Sequence, residues 1–342
     1  MITLRVACSV SVVIPVFNGA TTLQDCLDAL SRTTDSSCEC IVVDDGSTDD
    51  SAHIARRAGA RVIESPRRQG PAHARNLGSL AASGEILLFI DADVCVGEGT
   101  VARAVAAFAE DLSIVALIGS YDFEPGAPNF LSQYKNLLHS FTHHRGCRDA
   151  STFWTGCGAI RRTFFLSTGG FPEHRRRSAV EDIEFGGTIL LQGGRIRLDP
   201  DLQVKHLKRW NLAGLLRTDI FDRAIPWTLL VLRSGVMPND LNLRIDQRAC
   251  VALVCMTPLV AAGFPSLSPV PLLLTILLNL PFFRFLASRR GWWFALRSIP
   301  MHLLYFLYSG LALVTGVVLH AGLVCSRTDR PQNPLACPTE NP

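Results

Sequence analysis

The sequence predicts an α/β fold, a mostly parallel sheet flanked by helices, followed by an interfacial helix and about three transmembrane helices. Three observations carry that expectation. Apolar runs and helical spacings alternate through residues 1–120, acids stand at the ends of the apolar runs, and residues 249–325 contain no Asp or Glu and three long apolar stretches. Strands that alternate with helices lie parallel in one sheet, and such sheets bind ligands beyond the strands' carboxyl ends.

The elements follow in order. "SVSVVIPVFN" reads as a buried strand, and "ATTLQDCLDAL" as a helix with Leu23, Leu27 and Leu30 on one face. "CECIVVDDGSTDDS" is a second strand ending in acids, "AHIARRAGA" a helix, "RVIES" a third strand, "GPAHARNLGSLAAS" a third helix and "EILLFIDAD" a fourth strand. Residues 6–17 lack a basic n-region and a small-residue cleavage site, so they are expected to be the first strand rather than a leader. The eleven cysteines are scattered without zinc spacing and are expected to be reduced, buried and chemically silent.

Mean hydropathy is positive, and the surplus sits in residues 249–264, 267–285 and 299–325. Only the last clearly exceeds the roughly 20 residues that cross a ~30 Å hydrocarbon core. The first is short and closed by Pro265, so the expectation is three crossings, with a re-entrant hairpin of the first two as the alternative. Arg284, Arg289, Arg290 and Arg297 crowd the connection before the third stretch, which places that connection in the cytoplasm. Three crossings then put residues 1–210 in the cytoplasm and the tail, 326–342, outside. Residues 211–248 form the junction. Leu212, Leu215, Leu216, Ile220 and Ile225 fall near one face, Arg217 and Arg223 elsewhere, and Trp210 and Trp227 at the ends, a pattern that suits a helix lying along the membrane. A buried connecting helix has the same pattern.

At the sheet's carboxyl edge gather Pro15, Val16 and Asn18, then Asp44 and Asp45, then Gly70 and Arg75, then Asp91 and Asp93. A pleated strand sends residues i and i+2 to one face, so Asp91 and Asp93 are expected to converge and to need a positive charge between them. Taken singly, "DGSTDD" also fits a turn and a helix cap, and Asp-Ala-Asp a solvated strand end.

In order and separation, "VSVVIPVFN", "VVDDGSTDDS", "GPAHARNLGSLAASGEILLFIDADV" and "AVEDIEFGGTILLQGG" resemble the four successive signatures of family-2 inverting glycosyltransferases, over about residues 9–210. The resemblance implies an A-type glycosyltransferase fold and a nucleotide-sugar donor. Pro15, Val16 and Asn18 would line the nucleoside pocket with Asp44 and Asp45, Asp45 accepting from the base, while Arg75, next to Gly70, approaches base and diphosphate. Asp91 and Asp93 resemble the Asp-x-Asp motif: Asp93 would bind Mg²⁺ or Mn²⁺, and Asp91 ribose or a metal-bound water. That cation is what would let the two acids coexist. Asp182 matches the base that takes the acceptor hydroxyl's proton, with Glu181 as the alternative, although acids at a helix start also complement its dipole.

His206 has a position where related folds supply a histidine to metal or diphosphate, and a surface histidine is the other reading. Trp154 offers a platform for a sugar ring and Gly156 a close backbone approach, while a core tryptophan beside a tight strand reads equally well. Leu207-Lys208-Arg209-Trp210 stands where processive relatives carry Gln-x-x-Arg-Trp, which argues against processive synthesis.

The expectation is an integral enzyme of a bacterial cytoplasmic membrane that moves a sugar, UDP-linked, to a lipid or lipid-linked acceptor such as a polyprenyl phosphate or a glycolipid of the cell envelope. No nucleic-acid partner is expected. A membrane nucleotidyltransferase would need a basic triphosphate loop, and "PVFNGATT" has no Lys or Arg; a nucleotide-sugar sensor would need no Asp182.

Overall fold

The structure, a computed structural model, describes residues 9–33, 38–174 and 180–326. The expected tail lies outside the described residues from 327 onward. Eight strands form one sheet: β1 (Val10–Val16), β2 (Cys38–Asp44), β3 (Arg61–Glu64), β4 (Ile86–Ile90), β5 (Val94–Val96), β6 (Ala116–Tyr121), β7 (Cys157–Arg161) and β8 (Ile196–His206), in the order β3-β2-β1-β4-β7-β6-β8-β5. The first four pair in parallel, as the alternation predicts. Beyond β4 the sheet is mixed: β7 runs antiparallel between β4 and β6, and edge strand β5 runs antiparallel to β8.

Both faces are covered, which is why β4 is apolar without a break and β1 is apolar but for buried Ser11. Val10, Val12, Ile14 and Val16 pack toward α1 (Ala20–Ser31), α2 (Ser51–Arg57) and α4 (Thr100–Glu110), while Val13, Leu87 and Phe89 face α3 (Pro71–Ala81), α6 (Arg162–Ser167) and α7 (Glu181–Leu191). The two-residue period of β1 thus feeds two cores.

Helix α5 (Phe130–His144) joins this domain to the C-terminal helices. One apolar cluster holds Tyr134, Leu137 and Leu138 of α5 together with Phe282 and Leu286 of α12 (Leu280–Arg290) and Ala295 of α13 (Trp292–Ser326). Arg290 donates from Nη2 to the Phe123 carbonyl at 2.6 Å and from Nε to Gln133 at 2.8 Å, and Arg289 lies over the Phe123 ring. The arginine-rich connection therefore lies against the sheet domain.

Two helices, α10 (Ile245–Gly263) and α13, are long and apolar enough to cross a membrane. The middle stretch is broken: Pro265–Leu278 meets α12 at 59°, so it is one bent span or a re-entrant loop. Pro281 is the cause, because it lacks an N–H and restricts the residue before it.

Residues 211–235 depart from the expected single amphipathic helix. Helix α8 (Leu212–Arg217) runs into a π-helical stretch, Thr218–Ala224, and then α9 (Ile225–Ser234). The wider turn breaks the 3.6-residue phase on which the leucine face was counted. Leu215 is fully buried, and Leu216 and Ile220 pack beside it against the α5–α12–α13 cluster, whereas Leu212 and Phe221 are exposed. Leu215, Leu216 and Ile220 of the counted face thus dock on protein, while Leu212 of that face and Phe221 point outward.

Candidate active site

The β4–β5 connection sets the centre. Strand pairing stops at Ile90, and the Val94 N–H donates back to the Asp91 carbonyl at 3.0 Å, so Asp91-Ala92-Asp93 is a turn and not a pleated strand. The two acids do face one cleft, but the turn brings them there rather than strand alternation. Each also has its own protein partner. Asp91 accepts from Arg75 Nη2 at 2.7 Å, and Asp93 Oδ2 lies 3.5 Å from His206 Nε2. His206 reaches that place because β5 pairs with β8 in the register Val94 with His206. It is 8% exposed, so it is not a surface histidine. The Tyr121 ring stacks on it at 4.4 Å with planes 9° apart and fixes its tilt.

Electrostatics follow from this packing. Burial pushes the Asp93 carboxyl up, but the hydrogen bond and charge of His206, with Lys208, outweigh that and hold it below the ordinary value. Arg75 is 3% exposed and bridges Asp91 to Glu181, whose Oε1 is 3.4 Å from Nη1. Its burial favours the neutral form, yet the flanking carboxylates raise its pKa further.

Two lobes meet at this centre. The first, of about 520 Å³, is lined by Pro15, Val16, Asn18, Asp45, Arg68 and Lys208 among others. Asp45 is held firmly: its two oxygens accept from the Gln69 and Gly70 N–H groups at 2.8 and 2.7 Å. Gly70 has φ 109°, a left-handed-side conformation that suits glycine and lets its N–H face the carboxylate. Asn18, also at positive φ, accepts from the Thr48 N–H at 2.8 Å and ties the β1–α1 turn to the "DGSTDD" loop. Asp44 serves that loop alone. It accepts from the Ser47 N–H at 2.8 Å and lines neither lobe, so for Asp44 the turn reading describes its place.

The second lobe, of about 630 Å³, shares Arg68, Arg75, Asp91, Asp93 and Lys208 with the first and adds Trp154, Glu181 and Asp182. Asp182 stands in the first turn of α7 and is half-buried. Burial pushes its carboxyl up to about 7; neighbouring Glu181 adds to the shift, and Arg75 and Arg223 oppose it. A carboxylate with that pKa can accept a proton near neutral pH. Glu181 is 3% exposed and turned to Arg75, which leaves Asp182 as the acid that faces the lobe more openly.

Trp154 lines this lobe with its edge toward Tyr121 at 4.9 Å and His139 beside it at 4.7 Å. Gly156 packs directly against the Trp154 indole. A Cβ there would stand 2.4 Å from Trp154 Cζ2, so the missing side chain makes room for the indole. Cys157, Gly158 and Ala159 are buried inside β7.

Among the described residues no three His, Cys, Asp or Glu side chains gather as a ready-made metal cage. Asp93 and His206, with Asp91 near, fit a cation that completes its shell with substrate oxygens and water, as Mg²⁺ and Mn²⁺ do at phosphate sites. Sequence reasoning missed Arg68, Lys208, Tyr121, Lys135 and Arg223. For Lys208 a signal existed in the basic run after β8; the others come from separate helices and loops that no local motif unites.

Comparisons with known proteins agree with this geometry. Residues 11–168 match the family model described as Glycosyl transferase family 2. Glycosyltransferase GlyG of Streptococcus pneumoniae serotype 4 is 30% identical over 126 residues, 35% of this chain and 42% of that protein. A PGL/p-HBAD biosynthesis glycosyltransferase of Mycobacterium tuberculosis is 39% identical over 103 residues, 29% of this chain and 40% of that protein. The chain thus aligns with about two fifths of each of these relatives. The mannosyltransferase PcManGT of Pyrobaculum calidifontis, solved with GDP-Man and Mn²⁺, superposes with TM-score 0.60 at 22% identity, covering 89% of this chain and 86% of that one, a likeness of fold. Residues 11–168 thus match a glycosyl transferase family 2 domain, the sheet has the A-type glycosyltransferase fold, and two of the helices that follow are apolar and long enough to cross a membrane.

Proposed function

We propose that the protein is an inverting, metal-dependent glycosyltransferase that moves a sugar from a UDP-linked donor to a lipid or lipid-linked acceptor at the cytoplasmic face of a membrane. One observation carries the reading: two lobes meet at Arg75, Asp91 and Asp93, and the second holds a carboxylate with a pKa near 7. The nucleoside would occupy the first lobe, with Asp45 presenting its carboxylate to an N–H of the base. Asp93 and His206 would hold a divalent cation, which supplies charge neutralisation for the departing diphosphate. Arg68 and Lys208 line both lobes and add positive charge along the same path.

Asp182 takes the proton of the acceptor hydroxyl as its oxygen bonds to the anomeric carbon. The bond from that carbon to the diphosphate oxygen breaks, and the nucleoside diphosphate leaves with the electron pair. One displacement from the face opposite the leaving group inverts the configuration. Water must be kept out for transfer to win over hydrolysis, and an acceptor that fills the second lobe does so.

The reading is tested with membranes containing the protein, given UDP-sugars or GDP-sugars labelled in the sugar. The expected result is metal-dependent, protein-dependent label in the organic-extractable fraction with a UDP donor. Label found only as free sugar or on a water-soluble product overturns the lipid acceptor, and transfer from GDP donors alone overturns the uridine assignment.

A further inference from the structure

The second lobe does not end at the sheet. Lys135, Arg223, Trp227, Asn242 and Tyr305 line both it and a mainly apolar groove of about 300 Å³ between α9, α10 and α13. Val231, Val251 and Leu313 form walls of that groove, which holds no acid besides Asp219. Apolar surface left open there favours a hydrocarbon over water.

The charges at the neck are unequal. Lys135 gives its ammonium to both oxygens of Asp219, at 2.7 and 2.5 Å, and Tyr308 donates to the same carboxylate at 2.6 Å. Arg223 reaches Asp219 only at 3.7 Å, and its side chain is half exposed. Lys135, Asp219 and Arg223 together leave one positive charge, and Arg223 carries it with its fork open to both cavities. Asp222 and Arg217 line the polar side only and offset each other. An unspent guanidinium between a reaction cavity and an apolar groove matches an amphiphile with an anionic linkage, because arginine pairs bidentately with phosphate.

We propose that this groove receives the hydrocarbon chain of the acceptor and that Arg223 binds a phosphate joining the chain to the reacting head, which lies beside Asp182. The proposal rests on the lipid-acceptor reading above. It divides the acceptor among three places: head in the polar lobe, phosphate at the neck, chain in the groove. Asp219 and Arg223, four residues apart, lie on one face of the π-helical stretch.

The experiment uses the full chain in phosphatidylcholine nanodiscs and dodecyl phosphate carrying a mid-chain diazirine. Photolabel is expected on the parts of α9, α10 and α13 that line the groove. Unlabelled dodecyl phosphate should compete at least about tenfold better than dodecyl glucoside, and Arg223→Gln should abolish that preference. Val231→Trp and Leu313→Trp, on opposite helices and both at partly exposed positions, should each cut labelling about tenfold while UDP binding is retained. The proposal is overturned by label spread evenly over lipid-facing residues and unchanged in both tryptophan variants that still bind UDP. A phosphate preference that survives Arg223→Gln overturns the neck assignment. Equal competition by phosphatidylglycerol makes the groove a site for bulk phospholipid and also overturns the proposal. Hydrolysis of UDP-sugar in the same samples reports the enzymatic reading separately: its absence with correct labelling removes the transferase and leaves the lipid site.

Discussion

In the donor lobe Asp45 and Asp91 come from loops, and Arg75 from the first turns of α3, that follow successive parallel strands, each set by the strand before it. On the acceptor side Asp182, Lys135, Arg223 and Tyr305 come from α7, α5, a π-helical stretch and α13, which meet only after the C-terminal helices have docked. Their polar groups are spent differently as well. Asp45 accepts from two backbone N–H groups and Asp91 from Arg75, whereas burial pushes the Asp182 carboxyl up to about 7 and Arg223 has a long ion pair to Asp219. On the proposed reading, the donor half would be pre-organised for a ligand whose diphosphate is the same in every turnover. On the same reading, the acceptor half would keep groups poised for chemistry and for an amphiphile.

The sharpest way to break this division is Asp93→Ala. If the metal and its charge belong to the centre between the lobes, transfer should fall by about 10³-fold while the protein inserts and folds normally. Near-normal turnover in the variant, or full activity of the unaltered protein in chelator, contradicts the assignment of Asp93 and His206.

A loss of about 10² is expected from Asp182→Asn, with donor affinity unchanged, because Asn keeps the shape and cannot take a proton. The pH profile adds a second reading. The base must be deprotonated, so kcat/KM should fall tenfold per unit as pH drops below about 7, and the Asn variant should lose that limb. A limb near the ordinary carboxylate value of 3.8, or donor binding that collapses in the variant, makes Asp182 a binding residue. The same shift has a sign for stability. The folded state holds this proton more tightly than the unfolded state, so the group's contribution to stability declines as pH rises from about 4 to about 7, opposite to a salt-bridged carboxylate.

The smallest effect separates adjacent acids. Asp45→Asn sets an amide against two backbone donors and should weaken UDP binding about tenfold, whereas Asp44→Asn, away from both lobes, should change it less than about threefold. Calorimetry with UDP and Mn²⁺ measures both. Equal losses would mean that the loop as a whole, and not Asp45, reads the base.

Much of the donor half was legible because its signals are local. Strand ends in a parallel sheet must present their following loops at one edge, so Asp45, Arg75, Asp91 and Asp93 could be placed together from order alone. Asp44 was overcounted because an acid that braces a loop and an acid that faces a ligand look alike in sequence. His206 was recoverable only as a resemblance, since its place depends on β8 pairing with edge strand β5 across more than a hundred residues.

The sequence by itself determined the alternation of strand and helix, the double burial of β1 and β4, the carboxyl-edge position of the donor residues and the apolar C-terminal stretches. These rest on period, run length and chain order, which are properties of neighbouring residues. The tertiary structure alone decided that Asp91 and Asp93 sit in a turn with separate side-chain partners, that Gly156 makes room for an indole, and that Leu215, Leu216 and Ile220 dock inward. It also decided that Arg223 opens onto both cavities. Each of these depends on what packs against a residue from far along the chain, and a one-residue change of helical phase, as in Thr218–Ala224, is enough to turn a face from lipid to protein.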